Sequence, residues 1–323
     1  MKNLAVCTSW WLALALACSS GAAPKSKVDI VVFGQPSLGG FLQPIIKLRK
    51  LDAGQGIEIN FVERTPDAYV TEFNSGEFQV GGSAALLSIA TASNQGVQVA
   101  YLFNLFDYFG AVVTDRPEIQ GVADLEHKQL VAATSTTNYA MFRWLAQAKG
   151  LDLTKVSVQN TATPGLIGYA LANRADAVQL WEPAYSILMA KKPALRAIDL
   201  DRKTSWKKFS GTETIPYLGV AAHLSWIKDN PVVIRKLYAV FQEAARWMRA
   251  NPAEASRLIA GAIKGSDPEV LRTLIEDNAR LGSNVVPAAR IQRSIEAVYA
   301  SGVQSGYLTR QVDKSTIYAV DLE

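Results

Sequence analysis

Hydrophobic and polar positions along the first hundred residues predict strands separated by helices. The run VDIVVFG at 28–34 is β-branched and apolar, as expected of a buried strand, and IEINFVE at 57–63 alternates like a second strand. Between them, residues 41–56 place their apolar side chains along one side of a predicted helix. A strand, a helix and a strand in this order imply a right-handed crossover and a parallel strand pair.

The alternation of predicted strands and helices continues to about residue 114, and a second such block begins there. In the first block we predict strands at 78–82 and 97–105, with a helix that starts at Ser83. The second block extends to about residue 208, and its predicted strands and helices are 128–135, 138–149, 156–162, 164–174 and 175–181. From there the chain has one strand at 217–222 and is then mostly helical, with Asn230 and Pro231 marking the start of a long amphipathic helix. Two α/β blocks and a helical tail that returns to the first block predict a bilobal protein.

The N-terminus has the pattern of an export leader. Lys2 is followed by a largely apolar stretch of 14 residues, Leu4 to Ala17, which is too short to cross a membrane comfortably. The sequence LALAC ends at Cys18, as in a bacterial lipoprotein leader with Cys18 as the lipidated residue, although Ala15 stands where leucine is preferred. The alternative is ordinary cleavage near residues 20–23. We therefore predict a leader at 1–18, a flexible linker at 19–27 and an exported protein of the periplasm or cell envelope, anchored by lipid on Cys18.

Composition and charge exclude several classes of function. The formal net charge is +4, or +3 once Lys2 is lost with the leader, and no long basic run occurs, so no nucleic-acid partner is expected. Both cysteines, Cys7 and Cys18, lie in the leader region, so the folded body has no disulfide and no thiol nucleophile. The two histidines, His127 and His223, form no known catalytic or metal-binding motif. We expect no cofactor and no metal.

Three predicted helix starts carry small polar residues directly after a strand. They are QPSLGG at 35–40, GGSAA at 81–85 and TSTTNY at 134–139. Helix N-termini present unpaired N–H groups, and ligands of open α/β sheets lie beyond the carboxyl ends of the strands. Helix capping is the better explanation for each loop alone, but three of them at equivalent places strengthen the case for a site that binds an anion or another polar group.

Aromatic residues gather near other strand ends. The stretch YLFNLFDYFG at 101–110 contains five of them. Trp181 is the last residue of the strand predicted at 175–181, and Tyr217 is the first residue of the strand predicted at 217–222. Most such aromatics belong to a core, yet small-molecule sites also use aromatic walls. In ADAVQLWEPAY, Glu182 precedes a proline and so is held in extended geometry at the end of a strand.

The segments IQGVADLEHKQLVAATSTTNYAMFRWLAQAKGLDLTKVSV, ALANRADAVQLWEPAY and NPAEA resemble the ABC-transporter substrate-binding proteins of the nitrate, sulfonate, taurine and thiamine-pyrimidine (NMT1/THI5-like) group. The resemblance spans about residues 28–300. It implies a type II periplasmic-binding-protein fold, in which two α/β lobes joined by two crossover strands close on a ligand. Lobe 1 would comprise 28–114 and 209–323, and lobe 2 would comprise 115–208.

The resemblance also implies where the ligand binds. Trp181 is expected to stack on the ligand or wall it off, and Glu182 to accept a hydrogen bond from it or to link the lobes, unless it forms a structural ion pair or a backbone hydrogen bond. This chain departs from common family patterns at DLEHKQL, at Gln79 and at STTN, which leaves the ligand open. The expected ligand-binding residues are Gln35, Ser37, Leu38, Gly82, Ser83, Phe106, Thr134, Ser135, Thr136, Thr137, Asn138, Trp181, Glu182 and Tyr217.

The function implied by the resemblance is the capture of a small organic ligand and its delivery to ABC permease subunits in the inner membrane. The abundance of aromatic residues favours a sulfonate, a carboxylate or a planar heterocycle such as a pyrimidine over bare nitrate. We expect a monomer without catalytic residues. The alternatives are a lyase or biosynthetic enzyme on the same fold, for which Glu182 is the one candidate acid or base, and a ligand-sensing subunit.

Overall fold

The computed structural model describes residues 26–263 and 265–323. The leader, Cys18 and most of the predicted linker lie outside this range. The first strand begins at Ser26, so residues 26 and 27 of the predicted linker belong to the sheet instead. None of the helices in the described part of the chain is long and apolar enough to cross a membrane.

Eleven strands are described, and they form two sheets. They are β1 Ser26–Phe33, β2 Ile57–Arg64, β3 Val80–Ala85, β4 Val99–Asp107, β5 Gly110–Thr114, β6 Gln129–Ala132, β7 Ser157–Asn160, β8 Ala177–Trp181, β9 Arg196–Ile198, β10 Pro216–His223 and β11 Ser283–Pro287.

Fourteen α-helices are described, together with short 3₁₀ turns. They are α1 Gln43–Leu48, α2 Leu51–Gly54, α3 Pro66–Asn74, α4 Leu86–Asn94, α5 Thr137–Ala148, α6 Thr163–Leu171, α7 Ala184–Lys191, α8 Arg202–Ser210, α9 Leu224–Asp229, α10 Pro231–Ala250, α11 Pro252–Ala262, α12 Pro268–Glu276, α13 Asn278–Leu281 and α14 Gln292–Gln304.

The first sheet has the order β11-β4-β10-β3-β1-β2. The β1–β2 pair is parallel, as the sequence pattern predicts, and so is β1–β3. Strand β10 is antiparallel to both of its neighbours, β3 and β4. The amphipathic helix α10 covers this sheet through Tyr238 and Phe241, whose rings lie 5.5 and 5.8 Å from that of Phe103.

The second sheet has the order β7-β6-β8-β5-β9. Strand β6 is parallel to β7 and β8, whereas β5 is antiparallel to β8 and β9. The chain enters this sheet through Tyr108 and Phe109, which join β4 to β5, and returns through α8 to β10. Because β4 and β10 pair with each other, the two connections between the sheets run side by side. The molecule is therefore a bilobal α/β protein.

Two local predictions are wrong. The single helix predicted at 41–56 is two short helices, because Lys50 adopts a left-handed conformation (φ 53°) between them. The helix predicted to start at Gly82 and Ser83 begins instead at Leu86, and both residues lie inside the buried strand β3. The segment pairs with β10 as a strand, and the hydroxyl of Ser83 accepts from the N–H of Phe33, so the serine does not act as a helix cap.

Candidate functional site

The junction between β6 and α5 has the polar helix start that the sequence predicts. Thr136 caps the helix, since its Oγ1 accepts a hydrogen bond from the N–H of Tyr139 at 3.2 Å. Thr137 and Asn138, in the first turn, are each only 2% exposed. Neutral side chains thus line the positive end of a 12-residue helix in a place shielded from water.

Asn138 joins this helix to the strand that returns to the first sheet. Its side-chain Nδ2 donates to the hydroxyl of Tyr217 at 2.6 Å, and its backbone carbonyl oxygen accepts from the hydroxyl of Tyr108 at 3.3 Å. The two tyrosine rings lie edge to face, 6.0 Å apart. Because Tyr108 leads into the second sheet and Tyr217 belongs to β10, the contact occurs where both connections between the sheets pass.

Burial raises the pKa of Tyr217 well above its ordinary value, although the hydrogen bond from Asn138 opposes the shift. The phenol therefore keeps its proton at every physiological pH. Because Tyr217 accepts from Asn138, its own hydrogen is available to donate to another group.

Gln179 adds a buried amide beneath the same helix. It lies at the centre of β8 with no exposed surface, opposite Val112 of β5. The two faces of this sheet pack against different hydrophobic clusters. Val112 and Ala177 belong to the cluster that contains the side chains of α5, and Val178 and Leu180 belong to the cluster around α6 and α7. Since successive strand residues face opposite ways, Gln179 is on the face that α5 covers.

Unsatisfied polar atoms concentrate in this region. Eight buried side-chain nitrogen and oxygen atoms among the described residues have no hydrogen-bond partner, and four of them belong to Thr137, Asn138 and Gln179. Such atoms are rare in folded proteins and each carries a desolvation penalty of about 1–3 kcal/mol. Donors and acceptors held ready in a water-poor place are what a polar ligand needs. We call the set of Thr137, Asn138, Gln179 and Tyr217 the seam site.

Trp181 ends β8, two residues after Gln179, and is partly buried against the cluster around α6 and α7. It pairs with Gly110, and a Cβ atom on Gly110 would overlap the hydroxyl of Tyr108, so the glycine lets that tyrosine reach Asn138. The strand end predicted from Pro183 is confirmed, because β8 stops at Trp181.

Glu182 has no exposed surface, and its carboxylate is fully engaged by protein groups. It accepts hydrogen bonds from the N–H and hydroxyl of Ser186 at 3.1 and 2.9 Å. Nε and Nη2 of Arg280 donate to its Oε1 at 3.1 and 3.0 Å. Burial raises the pKa of Glu182, while Arg280 and Ser186 lower it. Because Arg280 lies in α13, next to β11 of the first sheet, the pair links elements of the two sheets. The same ion pair and the backbone hydrogen bond from Ser186 are also the structural alternative stated for Glu182, so a contact with ligand stays a prediction.

The predicted residues of the first sheet form a separate cluster at the ends of β1 and β3. The Gln35 side chain accepts from the N–H of Ser37 at 3.0 Å, and Ser37 accepts from the N–H of Gly39 at 3.1 Å. Ser83 accepts from the N–H of Phe33 at 2.9 Å and lies against Gly39. In the part of the chain that the structure describes, no hydrogen bond joins this cluster to the seam site.

The remaining predicted residues have other surroundings. Leu38 is buried, and Gly82 packs against Ile30 and Val32, where a Cβ atom would clash. Phe106 is fully buried against Phe41. Thr134 donates its N–H to Asn160, and the carbonyl of exposed Ser135 accepts from the hydroxyl of Tyr307 at 3.0 Å.

Three residues that sequence analysis missed take part in these arrangements. Gln179 carried a signal, namely a lone amide inside an apolar strand. Tyr108 was one of several aromatics in a row, and nothing distinguished it. Arg280 is 98 residues from Glu182, and no local pattern connects them. Within the described residues, no group of three or more histidine, cysteine, aspartate or glutamate side chains is arranged to hold a metal ion.

The fold is shared with solved binding proteins. The periplasmic aliphatic sulphonate binding protein SsuA of Escherichia coli has a TM-score of 0.69 at 18% identity, covering 91% of this chain and 92% of that one. The alkanesulfonate-binding protein SsuA of Xanthomonas axonopodis pv. citri, bound to MOPS, has a TM-score of 0.74 at 14% identity, covering 90% and 96%. The Candida albicans CA3427 gene product, described as having the generic periplasmic binding protein fold, has a TM-score of 0.65 at 16% identity, covering 93% and 98%.

Sequence comparison places the chain in a family. A search of curated proteins gave no match. The family model described as NMT1/THI5 like matches residues 53–255, which is more than half of the chain. The protein therefore belongs to the NMT1/THI5-like family.

Proposed function

We propose that this protein is the solute-binding component of an ABC importer, which captures a small organic solute at the seam site and delivers it to a membrane permease. The observation that carries the proposal is the set of buried, unpartnered polar atoms on Thr137, Asn138 and Gln179 where the two sheets meet. A solute that satisfies them, all on α5 and β8 of the second lobe, and also accepts from the hydroxyl of Tyr217 on β10 of the first sheet would contact both lobes and favour their closed arrangement.

The chemistry of these groups favours a solute rich in hydrogen-bond acceptors. The hydroxyl of Thr137, the amide of Gln179 and the hydroxyl of Tyr217 can all donate, and the N-terminus of α5 adds a positive dipole end. A sulfonate or a carboxylate suits these donors. The free oxygens of Asn138 and Gln179 also suit the N–H groups of a planar heterocycle such as a pyrimidine. Trp181, two residues after Gln179 on β8, would supply an apolar wall.

The cellular setting is part of the same proposal. An export leader that ends at Cys18 would place the protein outside the inner membrane, held by lipid near its permease. The SsuA proteins that share its fold are described as periplasmic or as sulfonate-binding, which supports the same setting and solute class.

Native mass spectrometry of the exported protein, purified without refolding, tests the proposal first. We expect an adduct of defined small mass, followed by a thermal shift with one class in a panel of sulfonates, carboxylates and pyrimidines. Thr137→Val, which removes only the unpartnered hydroxyl, should reduce that shift while leaving the unliganded protein as stable or more stable. Thr91→Val is the matched control, since Thr91 bonds the carbonyl of Leu87 within α4. A protein that no member of the panel stabilises, and that carries no adduct, would refute solute binding.

A further inference from the structure

A second cavity lies on the other side of the connection between the sheets, and no residue of the seam site lines it. Its volume is about 470 Å³, within the usual range for small-molecule sites. Phe109 and the start of β5 form one wall, and Leu200 with Arg202 and Lys203 forms the second. Tyr185 of α7 and Arg280 of α13 close the third side.

Two arginines and two aromatic rings follow one another along this cavity. The guanidinium of Arg202 lies 5.4 Å from the ring of Phe109, and that of Arg280 lies 5.4 Å from the ring of Tyr185. The rings of Phe109 and Tyr185 are themselves 5.4 Å apart, in an edge-to-face contact. The cavity thus has two aromatic rings in its wall, each with a cation beside it.

The two arginines differ in how far their charge is already neutralised. Arg280 is paired with Glu182 at 3.0 Å and has Asp277 at 3.8 Å. Arg202 donates to the carbonyl oxygen of Tyr108 and, among the described residues, forms no ion pair within 4 Å, although the carboxylate of Asp107 attracts it from farther away. Arg202 is also half-buried, so water screens its charge less than it screens a surface residue.

The acidic residues at the cavity cancel this charge only in part. Asp201 is paired with Lys149 at 3.1 Å, and Asp199 accepts from the N–H of Asp201 at 2.7 Å. Lys203 is exposed at the rim. The guanidinium of Arg202 is planar and partly desolvated, and such a group is well suited to bind a carboxylate or sulfonate through two parallel hydrogen bonds.

We propose that this cavity is a second ligand site, which binds a small organic anion with a flat apolar body, its acid group on Arg202 and its ring against Phe109 and Tyr185. The cavity joins parts of both lobes, because Phe109 leads into the second sheet, Arg202 follows its last strand, and Arg280 lies next to β11 of the first sheet. An anion bound there holds α13 against α7 and stabilises the arrangement in which the two sheets are docked. The site is independent of solute capture at the seam.

Isothermal titration of the exported protein with benzenesulfonate and benzoate tests this assignment. Arg202→Met should weaken binding of either anion by at least about tenfold, the value of one charged hydrogen bond. Arg202→Lys keeps the charge but loses the planar fork, and we expect an intermediate loss. Lys207→Met is the matched control, because Lys207 is an exposed cation on the same helix, paired with Glu213. It should leave binding unchanged within about twofold.

Variants of the seam site separate the two sites. Thr137→Val should not change the affinity for benzenesulfonate if the anion occupies the second cavity. Circular dichroism melts establish that each variant is folded, and Phe109→Leu offers a second test that leaves Arg202 in place. The assignment is overturned if neither anion binds the wild-type protein at about 10 mM. It is also overturned if Arg202→Met and Phe109→Leu bind like the wild type, or if Thr137→Val alone removes binding.

Discussion

Removing either partner of the Glu182–Arg280 pair should destabilise the protein, but by very different amounts. The side chain of Arg280 is 31% exposed, whereas that of Glu182 is fully buried. In Arg280→Met, a buried carboxylate is left with only Ser186 as partner, and such a loss costs about 3–5 kcal/mol. In Glu182→Gln, the arginine keeps its contact with water and with Asp277, so we expect about 1–2 kcal/mol.

The pH dependence of the Arg280→Met variant follows from the same geometry. Burial already raises the pKa of Glu182 in the wild type, and loss of the attraction to Arg280 raises it further. A carboxyl with a raised pKa in the folded state loses stability as pH increases from its ordinary value to its folded value. The destabilisation should therefore be full at pH 8 and much smaller near pH 4.5, where Glu182 takes up a proton.

Urea denaturation followed by circular dichroism measures these differences against the wild type at each pH. The double variant should be much less destabilised than the sum of the single variants, because no charge is then left buried. Arg272→Met is the matched control, since Arg272 pairs with Glu269 and Glu276 on the surface and should change the free energy of unfolding by less than about 1 kcal/mol. Equal losses in both single variants, without pH dependence, would refute the reasoning.

Further predictions concern the connections between the sheets and the strands that carry them. Burial raises the pKa of Asp107, at the end of β4, to about 7 from an ordinary 3.8, although hydrogen bonds from Asn284 and Asn104 oppose the shift. Stability should therefore fall by up to about 4 kcal/mol between pH 4 and pH 8, and urea denaturation of Asp107→Asn should remove that dependence; an unchanged slope would contradict it. Gly219→Ala would push a Cβ atom against the carbonyl oxygen of Phe103, so we expect the melting curve to show a loss of about 3 kcal/mol, and a wild-type melting temperature would contradict the observed β4–β10 pairing.

Local patterns predicted most of the scaffold because local physics determines it. The β1–β2 pair followed from two alternating runs separated by one helix, and helix α5 begins within one residue of its predicted start. Pro183 correctly marked the end of β8. Each of these features depends on residues that are close in sequence, where periodicity, capping and proline geometry act directly.

Features that depend on distant residues were not predictable in this way. Strand β11 has only five residues and is stabilised by pairing with β4, about 180 positions earlier. Strand β11 was therefore missed, because the sequence on both sides of it predicts helices. The break at Lys50 needs a left-handed residue where no glycine signals one. For the candidate site, sequence indicated Thr137, Asn138 and Tyr217, but their association through the two connections between the sheets required the three-dimensional arrangement.

Isothermal titration of the solute panel against the wild type and a Thr137→Val/Gln179→Leu variant tests the central claim most directly. Both substitutions remove unpartnered polar atoms with little change of shape, so the unliganded variant should be at least as stable as the wild type. We predict that one solute class binds the seam site of the wild type with a Kd of about 1 μM or tighter, and that this tight binding is at least about 100-fold weaker in the variant. Equal affinity for both proteins, or no heat from any solute, would contradict the account.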